Sequence, residues 1–332
     1  IIDGTNEAHR AWMSTTDIEM TSDGLSTNAI FGFVKNIRYL ITNPNIPCDK
    51  LIITWDVKGG SKRRKELYPL YKSHRKHDID DGRDFNDFLR QLDILKLMLS
   101  HLPITQLELK DYEGDDLIAA VCYFLDSDNK TIVSADKDFG QLINEKTSLY
   151  KRGMFAKDHK LITPTNFFQI EGKCKLPFNT ILDYKVLNGD ASDFIFGVDG
   201  VGDKTIEKMF DRYGTLLEAL GQEDELKKDP KLKKIFGPIT IKKEGIKESL
   251  EQLGVKTHLD LLTLNYQLMD LSLGLDTTIL EYVGNELLKQ PLYNASELKR
   301  MLAVYNFNSI LEKFDNFVHP FVIGETPLRR FV

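Results

Sequence analysis

Cysteine is scarce in this 332-residue chain: three residues, at positions 48, 122 and 174, an odd number with no paired spacing. That pattern indicates neither a disulfide framework nor a zinc site, and a reducing, cytoplasmic compartment fits it best. No run approaches the roughly 20 apolar residues that a membrane helix needs. Internal repeats and low-complexity tracts are also absent. There is no initiator Met: the chain opens on Ile1 inside a strand-like run, which suggests that some N-terminal residues are missing. Hydrophobic residues make up 42% and charged residues 28%, an ordinary globular balance. The length suits about two domains.

A net charge of -6 at first argues against an anionic partner, but its distribution matters more than its sum. Between Lys58 and Lys76 stand eight Lys or Arg residues against one acid, Glu66. This segment has a Gly59-Gly60 start and no long apolar stripe, so it reads as exposed and mobile. It is either a solvated face or an electrostatic guide for phosphates. Its aromatic residues, Tyr68, Tyr71 and His74, could stack on bases or pack on the base of their own loop.

Acidic residues recur at the ends of predicted elements. Ile1 to Thr5 reads as a buried strand ending near Asp3, and Leu51 to Trp55 as another ending on Asp56. Tyr112 to Phe139 holds five carboxylates. Glu113, Asp115 and Asp116 stand at the start of an apolar helical run, where they suit the helix dipole. Asp136 and Asp138 follow a strand-like run, Thr131 to Ser134. A helix predicted from Pro177 to about Leu187 delivers Asp190 and Asp193. Each group alone is ordinary capping or turn chemistry. Strand, helix, strand order implies a parallel sheet that gathers them along one edge. Two like charges about 4 Å apart repel by about 4 kcal/mol at an effective dielectric near 20. Such a cluster calls for a cation, and an all-oxygen donor set suits Mg²⁺ or Mn²⁺.

Further helices are expected over Ser26 to Ile41, Phe85 to Leu102, Ile206 to Tyr213, Ile246 to Leu253, His258 to Leu273, Thr278 to Leu288 and Ala295 to Val304. A strand is expected at Ile104 to Leu109, a hairpin over Ser148 to Ile162 and a helix opened by Pro164. In GVDGVGDKT, residues 197 to 205, Gly200 and Gly202 let the backbone approach a phosphate ahead of a helix, with Lys204 one turn in. Lys227 to Lys234, with Lys242, Lys243 and Lys247, reads as solvated surface. The terminal TPLRRFV reads as a frayed end.

The ordered set IIDGTN, ITWD, YEGDD, SADKDF, GDASD and GVDGVG resembles the 5′ nuclease superfamily, which includes flap endonucleases and phage 5′ to 3′ exonucleases. Within it, the set looks closest to the ribonucleases H of T-even phages. The resemblance spans about residues 1 to 215. It implies an α/β fold: a PIN-like, mostly parallel sheet flanked by helices over residues 1 to 176, with a basic arch at about 58 to 83. A helical DNA-binding region over 177 to 332 would contain a helix-three-turn-helix at about 177 to 215.

It also implies two Mg²⁺ or Mn²⁺ ions that cleave phosphodiesters at 5′ ends or flaps of DNA and of RNA primers. Asp3, Asp56, Glu113, Asp115, Asp116 and Asp136 would serve the first ion, and Asp138, Asp190 and Asp193 the second. YKSHR matches the family's Tyr-Lys-x-x-Arg, making Lys72 and Arg75 catalytic cations and Tyr71 a stacking residue. Lys62, Arg63, Arg64, Gly200, Gly202 and Lys204 would contact DNA, and a K⁺ would sit at the Gly197–Gly202 hairpin. Phe194 departs from the Asn that many members carry there. The implied partners are DNA with a 5′ flap or end, an RNA·DNA hybrid, and a single-strand-binding protein or sliding clamp. The implied state is a monomer away from membranes, in the host cytoplasm if phage-encoded. The competing readings are a non-catalytic junction-binding protein and a PIN-type ribonuclease for single-stranded RNA.

Overall fold

The computed structural model describes residues 1–14, 21–22, 25–74, 84–153, 158–166, 178–241 and 244–322. Its organising layer is a six-stranded sheet in the spatial order Thr105–Leu107, Ile52–Thr54, Ile2–Asp3, Lys130–Val133, Thr147–Lys151 and Lys160–Ile162. The first five strands run parallel and the last pairs antiparallel with Thr147–Lys151. The strands are short and nearly all buried, as expected of a parallel sheet covered by helices on both faces.

The register fixes where the strands end. Asp3 is level with Thr54 on one side, and Ile2 with Val133 on the other. The carboxyl ends of three neighbouring strands therefore open together at one edge, where parallel sheets place their sites. Gly4 starts the helix Gly4–Ser14 hard against the next strand: a Cβ there would lie 2.5 Å from the Trp55 ring. Only glycine lets the chain turn off the strand so closely.

The helix Asn28–Ile41 buries Ile30, Phe33, Val34, Ile37 and Leu40, the helical spacing that the sequence carries. The helix Phe85–Leu99 and the strand Thr105–Leu107 are shorter versions of the predicted elements, and Thr277–Leu288 and Ala295–Val304 match theirs closely. Expectations for the Pro164 helix beyond residue 166, and for TPLRRFV, lie outside the described residues.

Two expectations need correction. The charge of the segment from Lys58 predicts an exposed, mobile stretch. Instead Lys62–Leu67 is helical, and Tyr68 and Tyr71 are 1% and 2% exposed, packed with Val186, Leu187 and Leu268. Alternation of charge with Leu67, Tyr68, Leu70 and Tyr71 gives the segment one apolar side, which finds a partner far along the chain. The second correction concerns the boundary near 176. Residues 186 to 269 do build a separate helical core. The chain then returns: Leu298, Met301, Leu302, Phe314 and Phe317 share a core with Phe33 and Ile37 of the α/β part. Ile279 and Val283 likewise pack on Leu117 and Val121. The C-terminal helices are thus built into the α/β core and are not an extension of the helical region.

The helix Ile181–Asn188 leads into the two-stranded hairpin Gly189–Asp190 and Ile195–Phe196, then through successive turns into the helix Asp203–Tyr213. This is the expected helix-three-turn-helix. Among the described residues, no helix is long and apolar enough to cross a membrane.

Candidate active site

Three carboxylates come from the sheet edge. Asp3 ends the central strand and is 6% exposed. Its Oδ2 accepts from Ser134 Oγ at 2.8 Å, and its Oδ1 from the Asn6 amide at 3.2 Å. Ser134 also accepts from the Asp136 amide at 3.0 Å, so one hydroxyl ties the acids of two neighbouring strands. Asp136 Oδ1 accepts from the Asp138 amide at 2.8 Å, the local turn bond typical of Asp. Asp56 lies across the central strand, its amide held by Thr5 Oγ1 at 2.8 Å.

The helix Gly114–Phe124 points its N-terminus into this edge, and the Gly114 amide donates to Asp56 Oδ1 at 2.7 Å. A Cβ on residue 114 would stand 3.3 Å from that oxygen, so glycine permits the approach. One residue on, half-buried Asp115 joins the cluster.

The electrostatics show that these acids face one another. Burial, followed by Asp56 and Asp136, pushes the Asp3 carboxyl up to about 8 against the pull of Ser134 and Asn6. Asp115 is held well above the usual carboxylate range by burial and then by Asp136, Asp3, Asp56 and Glu113. Asp56 is open at its surface but crowded by protein beneath; burial raises it, the Gly114 amide opposes, Glu113 adds and Lys72 opposes. Crowded, buried carboxylates behave in this way.

A second set of acids is already neutralised. Arg64, 3% exposed, reaches Glu113 Oε2 at 2.9 Å and grips Asp116 at 2.8 and 2.9 Å, while its Nε donates to the Leu268 carbonyl at 2.9 Å. Asp116 also accepts from the Glu113 amide at 3.1 Å, as a helix-capping acid does. Lys72 Nζ lies 2.6 Å from Glu113 Oε1 and 3.9 Å from Asp193 Oδ2. Its backbone sits in the left-handed region at φ 55, and its amide donates to the Asp193 carbonyl at 2.9 Å. Tyr71 Oη donates to Asp193 at 2.9 Å and contacts Glu113 at 3.1 Å. Burial alone would raise Glu113, but Lys72 and Arg64 bring it below its ordinary value.

A small recess joins the two sets: its wall includes Asp115, Asp138, Asp190 and Asp193. Asp190 accepts from Ser192 through both N and Oγ, at 2.8 and 2.6 Å. Lys185 spans Asp138 and Asp190. Burial would raise Asp190, yet Lys185 and Ser192 bring it down to about 2.

Three expected roles are corrected here. Arg64 and Tyr71 are interior groups, so neither lies on a DNA-facing surface, and Asp116 is spent on Arg64 and on its own helix start. Arg63 is half-buried, 3.9 Å from Asp116, whereas Lys62 is exposed and paired with Asp111 at 3.2 Å. Arg75 lies outside the described residues. Sequence reasoning missed Ser134, Lys185 and the structural role of Arg64. The spacing Arg64, Tyr68, Tyr71, one helical face, was the signal for the last.

Among the described residues, no three acids stand close enough to hold one ion as they are. The donor set still fits a divalent metal: it is all oxygen, and Asp3, Asp56, Asp115 and Asp136 oppose one another's ionisation. In the turn ahead of the helix Asp203–Tyr213, Gly200 takes φ 78, Gly202 has open space around it and Lys204 is exposed. The Asp199 carbonyl accepts from Lys234 Nζ at 3.2 Å.

A parallel sheet with acids at its carboxyl edge, joined to a helix-three-turn-helix, is the architecture of a 5′ nuclease. The model of the family described as 5′-3′ exonuclease, N-terminal resolvase-like domain, matches residues 1–172, and the chain belongs to that family. The thermostable DNA polymerase I of Thermus aquaticus is 27% identical over 98% of this chain, and the DNA polymerase I of Streptococcus pneumoniae is 33% identical over 65% of it. The chain spans only 34% and 24% of those two relatives. The bacteriophage T5 D15 protein, crystallised with metal ions, shares the fold at a TM-score of 0.61 and 18% identity, over 86% of this chain and 97% of that one. The catalytic core of Rad2 bound to DNA does so at 0.56 and 15%, over 96% and 91%.

Proposed function

We propose that the protein hydrolyses phosphodiesters at 5′ ends or flaps of DNA, and of RNA primers on DNA, in a reaction that depends on two divalent ions. The observation that carries this reading is the set Asp3, Asp56, Asp115 and Asp136, buried acids that crowd one another strongly enough to raise Asp3 and Asp115 even with Lys72 close by. Those four would hold the first ion; Asp138, Asp190 and Asp193 would hold the second. Such ions supply an ionised water at neutral pH and stabilise charge on the phosphate. Ser134 fixes Asp3 relative to Asp136, and the Gly114 amide fixes Asp56. Lys72, anchored by the Asp193 carbonyl, presents a cation toward incoming phosphate, and Arg75 would add a second. No Ser, Cys or His nucleophile is needed.

The turn at Gly200 and the start of the helix Asp203–Tyr213 would hold duplex backbone without reading bases, with Lys204 and Lys62 alongside. Lys234 already supplies positive charge to the Asp199 carbonyl, where K⁺ would bind. The T5 flap endonuclease, solved with DNA and metal ions on the same fold, supports this reading. Primer removal during replication, as a cytoplasmic monomer beside a single-strand-binding protein or clamp, belongs to the same proposal.

The test is a panel of labelled 5′ flap, nicked duplex, RNA·DNA hybrid and single-stranded RNA, with Mg²⁺ or EDTA. Flap and hybrid should be cleaved only with Mg²⁺. Binding without cleavage would instead mark a junction-binding protein, and cleavage confined to single-stranded RNA a PIN-type ribonuclease.

A further inference from the structure

Lys185 is a cation outside the catalytic set. It stands in the last turn of the helix Ile181–Asn188, where a cation suits the helix dipole, and its side chain is 13% exposed. Its Nζ donates to Asp190 Oδ2 at 2.9 Å and also contacts Asp138 Oδ1. The two acids come from different parts of the chain. Asp138 opens the turn after the strand Lys130–Val133, whereas Asp190 lies in the hairpin of the helical region. One ammonium therefore joins those parts at the recess that both acids line. Asp190 is further satisfied by Ser192 on its other oxygen.

We propose that Lys185 is a built-in counter-cation that holds Asp138 and Asp190 together and must be displaced before that pair binds a divalent ion. The proposal rests on the two-ion reading of the site. Its physical basis is competition: an ammonium and a divalent ion both seek the same oxygens, and their like charges repel at close range. In the first cluster Lys72 acts on Asp56 and Asp115 while its ammonium is paired with Glu113, whereas Lys185 is bound directly to both Asp138 and Asp190, so the two ions bind with unequal affinity. Lys185 is a positioning residue, because it sets the geometry and affinity of the pair without touching the reacting phosphate.

The experiment titrates Mn²⁺ into the full chain in the absence of DNA, with free Mn²⁺ followed by electron paramagnetic resonance, for the wild type, K185M, K185R and D190N. K185M, which keeps the length and removes the charge, should tighten the weaker Mn²⁺ site by about ten-fold or more. K185R should keep the wild-type affinity. In EDTA, K185M should melt below the wild type, and Mn²⁺ should close the gap. An unchanged or looser weak site in K185M would overturn the proposal and leave Lys185 a structural tie. Should K185M not fold by circular dichroism, K185Q takes its place with the same two outcomes. If D190N keeps both Mn²⁺ sites, the two-ion reading itself fails, a result distinct from any outcome for Lys185.

Discussion

The strand-edge acids and the acids near the helix Lys62–Leu67 and the hairpin are handled in opposite ways. Asp3, Asp56, Asp115 and Asp136 crowd one another, and Asp3 is raised to about 8. Glu113, Asp116 and Asp190 are each matched by a protein cation, from Lys72, Arg64 and Lys185, and Asp190 falls to about 2. The first group costs the fold stability and gains from an external cation; the second helps hold the fold together, and an ion gains there only where it displaces the protein cation. Charge balance, more than the number of carboxylates, therefore decides how readily a cluster takes up a metal ion.

Substitutions break this contrast at different strengths. Asp115→Asn should lower cleavage by at least about 10²-fold, the scale of losing a group that stabilises transition-state charge. It should also raise the melting temperature in EDTA by about 2 °C, because a repelling charge is removed. Loss of activity together with loss of stability would mean that Asp115 is structural. Arg64→Met should leave Glu113 and Asp116 buried with too little positive charge, costing about 3–5 kcal/mol in urea melts. A near-neutral result would place Arg64 at the surface after all.

The pH dependence of stability sharpens the comparison further. The Asp190 pKa is depressed on folding, so its contribution is present above the unfolded carboxylate range and is lost as pH falls toward about 2. The Asp3 pKa is raised on folding, so its contribution is present below the unfolded pKa of about 3.9 and is lost as pH rises through about 8. In EDTA, stability should therefore peak in mildly acidic buffer and decline toward pH 8, and Mg²⁺ should flatten that decline. Melting temperatures across this range with and without Mg²⁺ check both limbs. Smallest of all, Lys204→Ala should weaken duplex binding evenly across sequences and reduce the salt slope by about one. A sequence-selective loss would contradict backbone holding.

The strand-edge acids were legible because their signals are local. A short apolar strand that stops at or just before an Asp announces both the strand and the edge, and the order of elements makes neighbouring strands parallel. Arg64 and Tyr71 were not legible as interior groups. A run of Lys and Arg reads as solvated unless its counter-charges are known, and those lie 49 to 52 residues further on for Arg64. Nor did the helical periodicity after Ala295 reveal which core its apolar face would join; Phe314 and Phe317 meet Phe33 only through the tertiary fold. Lys185 was hidden for a related reason: its helix position was predictable, but the approach of Asp138 from another part of the chain was not.

Anomalous diffraction from crystals soaked in MnCl₂ tests the strand-edge cluster most directly. The expected map has its strongest peak among the carboxylates of Asp3, Asp56, Asp115 and Asp136, lost in the Asp115→Asn protein. Manganese bound only elsewhere, or none at that edge at saturating concentration, would contradict it.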